Sequence, residues 1–260
     1  MDEVNKQELY RLIGDQFVQV FRLMGRVESV DCRDEWWSLI THLPHPFANF
    51  GILSKASDLD SLNQLAGLLA EVNQPAGIML PGVETDEIRT VLEPYGFLMA
   101  EQMPAMWIPL YEWSDPSCPD GFSMRAIDIE QEGDTWVEAM CEGYEIPTPV
   151  GAMFGHQELP EGMAVEHFAV FNDDQMVATS MSFHDGTMGG VYCVATRKEF
   201  RRRGLGEAVT GLAVSALRNT GASMAVLQAS LVGAPVYERM GFKSVGTLPL
   251  YVRIPESPPT

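Results

Sequence analysis

The feature of this chain that most constrains its fold is the segment 191–221, VYCVATRKEFRRRGLGEAVTGLAVSALRNTG. A β-branched run leads into a short basic loop, which opens through Gly204 and Gly206 into apolar residues at helical spacing. Glycine has no Cβ, so backbone N–H groups there can approach a ligand closely. The first turn of a helix adds free N–H groups and the positive end of its dipole. The segment therefore predicts a strand, an anion-binding loop and a helix, with a pyrophosphate as the natural occupant.

The distribution of charge supports an anion at this loop. The chain has 260 residues, with 17 Lys and Arg against 36 Asp and Glu, for a net charge of −19. Five of the bases lie within 197–203, whereas 120–185 holds 14 acids and a single base, Arg125. A charge run is usually a solvated face, but a basic cluster beside glycines in an acidic chain favours a bound anion. The overall acidity argues against a nucleic-acid binder and against attachment to an anionic membrane.

Two common phosphate-binding motifs do not fit the loop. A Walker A loop needs Gly-Lys-Ser/Thr, which the residues 204–207 (GLGE) lack. A dinucleotide fingerprint needs a third glycine where this chain has Val209. The pattern that remains is R-x-x-G-x-G after a strand, formed by Arg201, Gly204 and Gly206.

Hydrophobic patterning elsewhere predicts a mixed α/β order rather than an all-α or all-β one. Helices are predicted at 3–24, 58–72, 84–95, 130–143, 204–220 and 232–240. Strands are predicted at 76–82, 122–128, 187–196 and 222–230, and 162–172 with 175–183 form a hairpin. Turns are expected at Pro104 and Pro249, each between two strands.

Two stretches of the chain resemble each other at a constant offset. VLEPYGFLMAEQMP at 91–104 and VYERMGFKSVGTLP at 236–249 share five identities in 14 positions. Both predict a helix, a glycine stop, a strand and a proline turn. The alternative is a chance match of a common pattern. We interpret the match as two related domains in tandem, divided at the Pro-, Ser- and Asp-rich segment 113–121.

With its neighbouring elements, the R-x-x-G-x-G loop resembles that of the GCN5-related N-acetyltransferase (GNAT) superfamily. There the loop lies between the fourth strand and the third helix and holds the pyrophosphate of acetyl-CoA. The segment 237–242 (YERMGF) matches the family's Y-E-x-x-G-F, and the resemblance spans about 122–254. It implies an α/β (mixed α+β) fold with a central, mixed, twisted sheet flanked by helices, in two tandem copies. We expect a degenerate copy at 1–115 and an acetyltransferase domain at 120–256.

The resemblance also implies which residues form the site. Tyr237 matches the tyrosine whose hydroxyl lies near the thioester sulfur, and it would protonate the leaving thiolate. The alternative for Tyr237 is an amphipathic core tyrosine. Ser230 stands where many members have an asparagine that touches the cofactor. The residues implied to bind acetyl-CoA are Val194, Thr196, Arg201, Arg202, Arg203, Gly204, Leu205, Gly206 and Ser230.

The general base is not identified by the sequence. Some family members carry a glutamate on the fourth strand, and the matching position here is Gly189. Side chains that could replace it, each of which could equally be a surface or structural residue, are Glu145, Glu166, His167 and His184. Deprotonation through ordered water is an equal alternative. Cys193 could suggest a covalent acyl-enzyme, but it lacks a His/Asp partner pattern and we interpret it as a small buried residue.

The first half of the chain lacks the features that carry the chemistry. At the position matching Tyr237 it has Leu92, and no R-x-x-G-x-G occurs in 1–115. We expect this half to have a packing role and not to bind the cofactor. Trp36, Trp37 and Trp107 either line an acceptor site or fill a core.

These observations predict an acetyl-CoA-dependent N-acetyltransferase. The acceptor would be a primary amine on an unidentified small molecule or peptide, and the acidic segment 120–185 would suit a cationic one. The alternative is a non-catalytic acyl-CoA-binding or sensory module, and a purely structural protein is a third interpretation. We expect no metal, nucleic-acid or membrane partner, and either a monomer or a homodimer. The cysteines Cys32, Cys118, Cys141 and Cys193 form no C-x-x-C, so a cytoplasmic protein with reduced thiols is expected.

Overall fold

The computed structural model describes residues 6–24, 30–82, 84–155, 159, 161–186 and 188–255. Its α-helices are α1 Lys6–Met24, α2 Leu59–Ala70, α3 Asp86–Leu92, α4 Ile129–Tyr144, α5 Thr148–Gly151, α6 Leu205–Asn219 and α7 Ala234–Arg239. Its first six strands are β1 Val30–Cys32, β2 Trp36–Ile40, β3 Asn49–Leu53, β4 Ala76–Met79, β5 Leu98–Pro109 and β6 Ser123–Ala126. The others are β7 Ala164–Asn172, β8 Gln175–His184, β9 Gly189–Thr196, β10 Met224–Gln228 and β11 Lys243–Arg253.

The predicted mixed α/β order is confirmed by these elements. Sequence analysis assigned nothing to 30–53, where the structure has the three short strands β1, β2 and β3. Strands β2 and β3 are five residues each and are buried on both faces, apart from the half-buried Ile40. Strands this short that are buried on both faces lack the alternation by which a half-buried strand is recognised in a sequence, so the sequence pattern does not reveal them.

The chain forms two compact units, and neither is continuous in sequence. One contains Met1–Ala105, Gln228–Val232 and Ser244–Thr260, and the other contains Met106–Leu227 and Gly233–Lys243. Strand β5 begins in the first unit and ends in the second, and almost all of β11 belongs to the first unit. The division into domains at 1–115 and 120–256 stays a prediction, since those ranges are continuous and the compact units are not.

The first unit is built on a mixed sheet. Its strands β1, β2 and β3 are antiparallel neighbours, β4 joins β3 in parallel, and β11 pairs antiparallel with β4. Helix α2 connects the parallel strands β3 and β4, as parallel pairing requires a crossover. The apolar stripe of α2 packs on this sheet and fills the core with Leu62, Leu65 and Leu69, all fully buried.

The second unit also contains antiparallel strands followed by a parallel pair. Strands β6, β7, β8 and β9 are successive antiparallel neighbours, and β10 lies parallel to β9. Helix α6 is the crossover between β9 and β10. Helix α4 packs on the same sheet through Trp136, whose indole N–H donates to the Phe168 carbonyl at 3.1 Å. The basic loop therefore lies between the end of β9 and the start of α6.

The two matching stretches of the sequence have matching local structure. Gly96 and Gly241 both have left-handed backbone, with φ of 80° and 96°, and each ends a helical segment. Such a glycine is a common helix terminator because a Cβ disfavours this conformation. Both stretches then continue as long strands, β5 and β11.

The predicted turns at Pro104 and Pro249 are wrong, because each proline lies inside a continuous strand. Proline lacks only the N–H group, so its carbonyl can still take part in pairing. The Pro104 carbonyl accepts from the Ala229 N–H at 2.9 Å, and the Pro249 carbonyl accepts from the Leu80 N–H at 3.1 Å.

The irregular segment 113–121 is fixed along α6 rather than free. The Trp113 indole N–H donates to the Ser215 hydroxyl at 2.9 Å, and Arg218 donates to the Trp113 carbonyl at 3.0 Å. One helical turn closer to the loop, Pro116 lies where Gly211 leaves room: a Cβ added there would be 2.5 Å from the Pro116 Cβ. Small residues on this face of α6 therefore allow the segment to lie directly on the helix.

None of the helices in the described part of the chain is both long and apolar enough to cross a membrane.

Candidate active site

The start of α6 presents a row of unused backbone donors. Within the described residues, the N–H groups of residues 204–207, the N-cap and first turn of α6, donate to no backbone or side-chain acceptor. Gly204 is the N-cap and has no side chain with which to cap the helix. Free donors at a helix N-terminus, together with the helix dipole, form an anion site. The predicted anion-binding geometry is therefore present at this loop.

The two glycines of the loop are needed for different reasons. Gly204 has φ of 80°, a left-handed conformation that disfavours any side chain. Gly206 has no such strain, and a Cβ added there would meet nothing closer than the Thr196 hydroxyl at 3.7 Å. The protein itself therefore does not require glycine at 206, whereas a ligand lying across the helix end would benefit from one.

Arg201 is used inside the protein. Its Nε donates to the Thr196 carbonyl at 3.1 Å, and its Nη2 donates to the Gly143 carbonyl at 2.7 Å. Nη2 also lies 3.3 Å from the carboxylate of Glu145. These bonds tie the loop to the end of β9 and to the C-terminal end of α4, where free carbonyls accept cations well. The Arg201 side chain thus fixes the shape of the loop.

The other bases of the cluster divide between structural contacts and solvent. Arg197 is buried and its Nε donates to the Met176 carbonyl at 2.7 Å. The Arg203 guanidinium lies 5.3 Å from the centre of the Phe200 ring. Arg202 is exposed and its backbone has φ of 63°. Arg202 is therefore an arginine of the predicted cofactor-binding set whose side chain is exposed to solvent beside the loop.

Strand β9 has a bulge next to the loop. Ala195 faces Thr179 and Tyr192 faces Met181 on β8, so two residues of β9 lie opposite Ser180 alone. One of the two is Cys193, with φ of 53°. The Thr179 hydroxyl donates to the Cys193 carbonyl at 3.1 Å and holds the bulge in place. A bulge bends its strand and re-aims the main chain, and bulges often lie next to active sites.

The two parallel strands of the second unit are paired at the start of β9, before the bulge. Strand β10 pairs with β9 only through Ala225 with Gly189 and Val226 with Gly190. Residues 191, 192, 195 and 196 of β9 have partners on β8, and within the described residues none of 191–196 has a partner on β10. The edge of β9 that includes Val194 and Thr196 is therefore open on that side, directly before the anion-binding loop.

Tyr237 lies on α7 and is 9% exposed. Its ring packs edge-on against Phe242, with centroids 5.9 Å apart. Burial raises the pKa of the Tyr237 phenol to about 12, and the facing Thr210 hydroxyl acts in the opposite direction. The phenol is therefore neutral and holds its proton at ordinary pH, as a proton donor must.

The structure adds Tyr144, which sequence analysis did not identify. It is the last residue of α4, and its hydroxyl interacts with both Cys193 and Tyr237. Although 47% of the residue is exposed, desolvation of the hydroxyl raises its pKa well above the ordinary value, and the two neighbours add to this. Its position depends on the packing of α4 on β9, so no local sequence signal points to it.

The side chains considered as the general base lie on different elements, and two of them are held in contacts with other residues. Glu145 is exposed and ion-paired with Arg201, and Glu166 is exposed on β7. His167 is buried against Trp136, with ring centroids 4.6 Å apart, and its Nε2 lies 3.1 Å from the Phe154 carbonyl. The structural interpretation therefore fits His167 better than a role as base.

The Glu position of other family members has no room for a side chain here. A Cβ added at Gly189 would lie 2.5 Å from the Leu217 side chain of α6. His184 is paired directly opposite Gly189 at the end of β8 and is half-buried. His184 thus lies at the same end of β9 as the missing glutamate, and the identity of the base stays a prediction.

Further predicted residues have clear positions. Cys193 is buried, as interpreted from the sequence, and burial raises the pKa of its thiol, which disfavours the reactive thiolate. Trp36 and Trp37 are 2% and 0% exposed and fill the core of the first unit. Ser230 lies in Gln228–Val232 of the first unit and is exposed, and its contact with the cofactor stays a prediction.

The corresponding helix of the first unit has a different N-terminus. Helix α2 also follows the inner strand of a parallel pair, but its N-cap is Asp58, whose carboxylate accepts from the Ser61 N–H at 3.1 Å. That bond lowers the pKa of the Asp58 carboxyl, which is ionised at neutral pH. A carboxylate already occupies the position where α6 has a glycine and free donors, so this helix end disfavours a phosphate.

Comparison with known proteins identifies the family. A sequence model of the acetyltransferase (GNAT) family matches residues 107–242. This chain belongs to the GNAT acetyltransferase family, as the loop and the Y-E-x-x-G-F segment implied. Members of the family are generally acyltransferases that use acetyl-CoA. No curated protein matches the chain in a sequence search.

Solved structures show the same fold. A GCN5-related N-acetyltransferase from Kribbella flavida is 17% identical, with 94% of this chain and 95% of that chain covered and a TM-score of 0.65. One from Sphaerobacter thermophilus is 15% identical, with 85% and 76% covered and a TM-score of 0.60. A tandem GNAT protein from the clavulanic acid biosynthesis pathway is 10% identical, with 95% and 88% covered and a TM-score of 0.58. The predicted GNAT fold, with mixed sheet and flanking helices, is confirmed.

Proposed function

We propose that this protein transfers an acetyl group from acetyl-CoA to a primary amine. The observation that carries the proposal is the row of free N–H groups at 204–207, which follows the open edge of β9. Both features lie in the region matched by the family. An anion cradle beside an open strand edge suits a ligand with a pyrophosphate at one end and an extended amide-containing arm at the other.

The residues present fit acetyl-CoA as a co-substrate. The N–H groups of 204–207, including those of Leu205 and Gly206, would hold the pyrophosphate, with Arg202 adding charge. Main-chain groups of Val194 and Thr196 would bind the pantetheine arm along the open edge of β9. A side chain at 206 would narrow this cradle, which accounts for a glycine that the protein itself does not require.

The chemistry follows from position and proton donation. Bound acetyl-CoA supplies an activated acyl group, and holding the amine against it supplies much of the rate by proximity. Tyr237 would give its proton to the departing sulfur, because its phenol remains protonated at neutral pH. The amine must lose a proton before or during attack. No side chain is assigned to that step, so we propose ordered water for it.

The acceptor is proposed to be cationic. Acids exceed bases by 14 to one over 120–185, which covers α4, β7 and β8. Such a field raises the local concentration of a polyamine, an aminosugar or a basic peptide.

The first copy is proposed to be a degenerate GNAT-like domain, because Asp58 caps its helix and Leu92 replaces the tyrosine. We propose the cytoplasm as the location.

The proposal is tested first by calorimetric titration of the protein with acetyl-CoA, beside Gly204→Asp. That substitution places a negative charge in the phosphate cradle and should abolish the micromolar binding expected of the wild type. The matched control is Gly221→Asp, since Gly221 has φ of 88°, has no atom within 4 Å of an added Cβ and lies beyond the other end of α6. No binding by the wild type would contradict the proposal.

A non-catalytic acyl-CoA-binding module is the second candidate, because no side chain is assigned as the general base. Of the side chains considered for that role, Glu145 is ion-paired with Arg201 and His167 is held by a structural contact. Release of CoA thiol separates the two candidates. Acetyl-CoA is incubated with spermidine, glucosamine or a lysine-containing peptide, and free thiol is followed by a colorimetric reagent. Thiol release that depends on one of these amines supports the enzyme. Binding without release from any of them supports the module.

A further inference from the structure

One buried polar group on α6 has no obvious structural purpose. Thr210 is fully buried, and its hydroxyl has no hydrogen-bond partner among the described residues. Neighbouring positions on the buried side of the helix are apolar, among them Val209, Ala213 and Val214. An unsatisfied buried hydroxyl destabilises a protein compared with an apolar group of the same shape. Threonine at 210 therefore costs stability that valine would not.

The position of Thr210 places it beneath the proposed ligand path. It follows Gly206 by one helical turn, so both residues lie on the same face of α6. At Gly206 this face is directed toward the end of β9, since an added Cβ would lie 3.7 Å from the Thr196 hydroxyl. The Thr210 hydroxyl lies near the phenol of Tyr237 on α7, and the two form no hydrogen bond in this structure.

We propose that Thr210 is a positioning residue for Tyr237, whose phenol oxygen its hydroxyl binds by a hydrogen bond during catalysis. The inference rests on the proposed function, in which Tyr237 is the acid. Catalytic hydrogen bonds are often long in a free enzyme and tighten when substrate binds.

The proton balance explains why a hydroxyl is useful at this point. Attack by the amine nitrogen on the acetyl carbon forms a C–N bond, and the C–S bond breaks with its electron pair on sulfur. The Tyr237 O–H proton goes to that sulfur and leaves a phenolate. The Thr210 O–H then donates to the phenolate oxygen, and the proton lost by the amine nitrogen returns to Tyr237 through solvent. A valine at 210 would leave the buried phenolate without a donor.

The inference is tested by measuring the ionisation of residue 237 directly. In the full chain, Tyr237 is replaced with 3,5-difluorotyrosine, whose phenol ionises nearer neutral pH, and the phenolate is titrated by absorbance. Thr210→Val should raise the pKa of that phenol by about 1, a tenfold weaker ionisation. Thr210→Ser keeps the hydroxyl and should restore the wild-type value. An unchanged pKa in Thr210→Val, or equal changes in both variants, would overturn the inference.

A kinetic cycle provides the second measurement, with acetyl-CoA and whichever of the three amines releases thiol. Thr210→Val should lower kcat about tenfold, with KM for acetyl-CoA unchanged and thermal stability equal or higher. In a Tyr237→Phe background the same change should have no further effect. A loss of kcat that persists in that background contradicts the inference. If the wild type binds no acetyl-CoA, the proposed function fails, yet the fluorotyrosine titration still decides whether Thr210 acts on Tyr237.

Discussion

Replacing Gly143 with alanine tests how closely α4 must approach β9 for the cofactor edge to form. A Cβ added at Gly143 would lie 2.8 Å from the Ala195 Cβ and 2.9 Å from the Thr196 backbone nitrogen. Ordinary contacts begin near 3.4 Å, so α4 and β9 must separate by about 0.6 Å. Overpacking of this kind typically costs about 1–3 kcal/mol. Because alanine is a better helix former than glycine by up to about 1 kcal/mol, part of the cost is offset.

Gly133→Ala on the same helix is the matched control. There an added Cβ would meet only the Ile129 side chain, at 3.5 Å, which is an ordinary contact. The gain in helix propensity is similar in both variants, so the difference between them isolates the clash with β9. We expect Gly133→Ala to unfold at or above the wild-type temperature. Gly143→Ala should unfold roughly 2–12 °C below Gly133→Ala.

The same displacement should weaken acetyl-CoA binding. The Gly143 carbonyl holds the guanidinium of Arg201, which fixes the loop, so moving α4 also moves the anion cradle. Thermal unfolding and calorimetric titration of both variants supply the readouts. Equal unfolding temperatures for the two alanine variants, or wild-type affinity in Gly143→Ala, would refute the packing argument.

Three further predictions concern the same unit. Gly204→Ala should lower thermal stability by about 1 kcal/mol because its φ is 80°, whereas Gly206→Ala should leave stability equal or higher. The Tyr237 phenol has its pKa raised by burial to about 12, so its stabilisation is complete below the unfolded pKa near 10. It is lost as the pH rises from about 10 to 12, and Tyr237→Phe should reduce that loss in unfolding followed against pH. Gly211→Ala would place a Cβ 2.5 Å from the Pro116 Cβ, and it should lower the unfolding temperature and expose 113–121 to limited proteolysis.

The elements that the sequence predicted well are those with a long local pattern. Helix α6 was predicted at 204–220 and found at Leu205–Asn219, and α4 was predicted at 130–143 and found at Ile129–Tyr144. Their apolar stripes repeat over four turns, which leaves little ambiguity. The short strands β1, β2 and β3 lack such a repeat, and the prolines of β5 and β11 suggested turns where their carbonyls are paired in continuous strands.

The arginines show a different limit of sequence reasoning. Arg201, Arg202 and Arg203 are equivalent in a list of charges, and all three were assigned to the cofactor. The structure directs the Arg201 guanidinium to the carbonyls of Thr196 and Gly143 and leaves Arg202 exposed. Which arginine is exposed beside the loop depends on contacts with α4, which lies more than 50 residues away in the chain. The spacing of charges in the sequence carries no information about those contacts.

By itself, the sequence determined the anion-binding loop, its helix and the family, because these depend on residues adjacent in the chain: glycines without a Cβ and a helix start with free N–H groups. Only the tertiary structure determined which residues surround the phenol of Tyr237. Tyr144 comes from α4 and Thr210 from α6, and both come close to Tyr237 only after these elements pack. Their burial sets the ionisation of the phenol, and burial is a property of packing that no local pattern records.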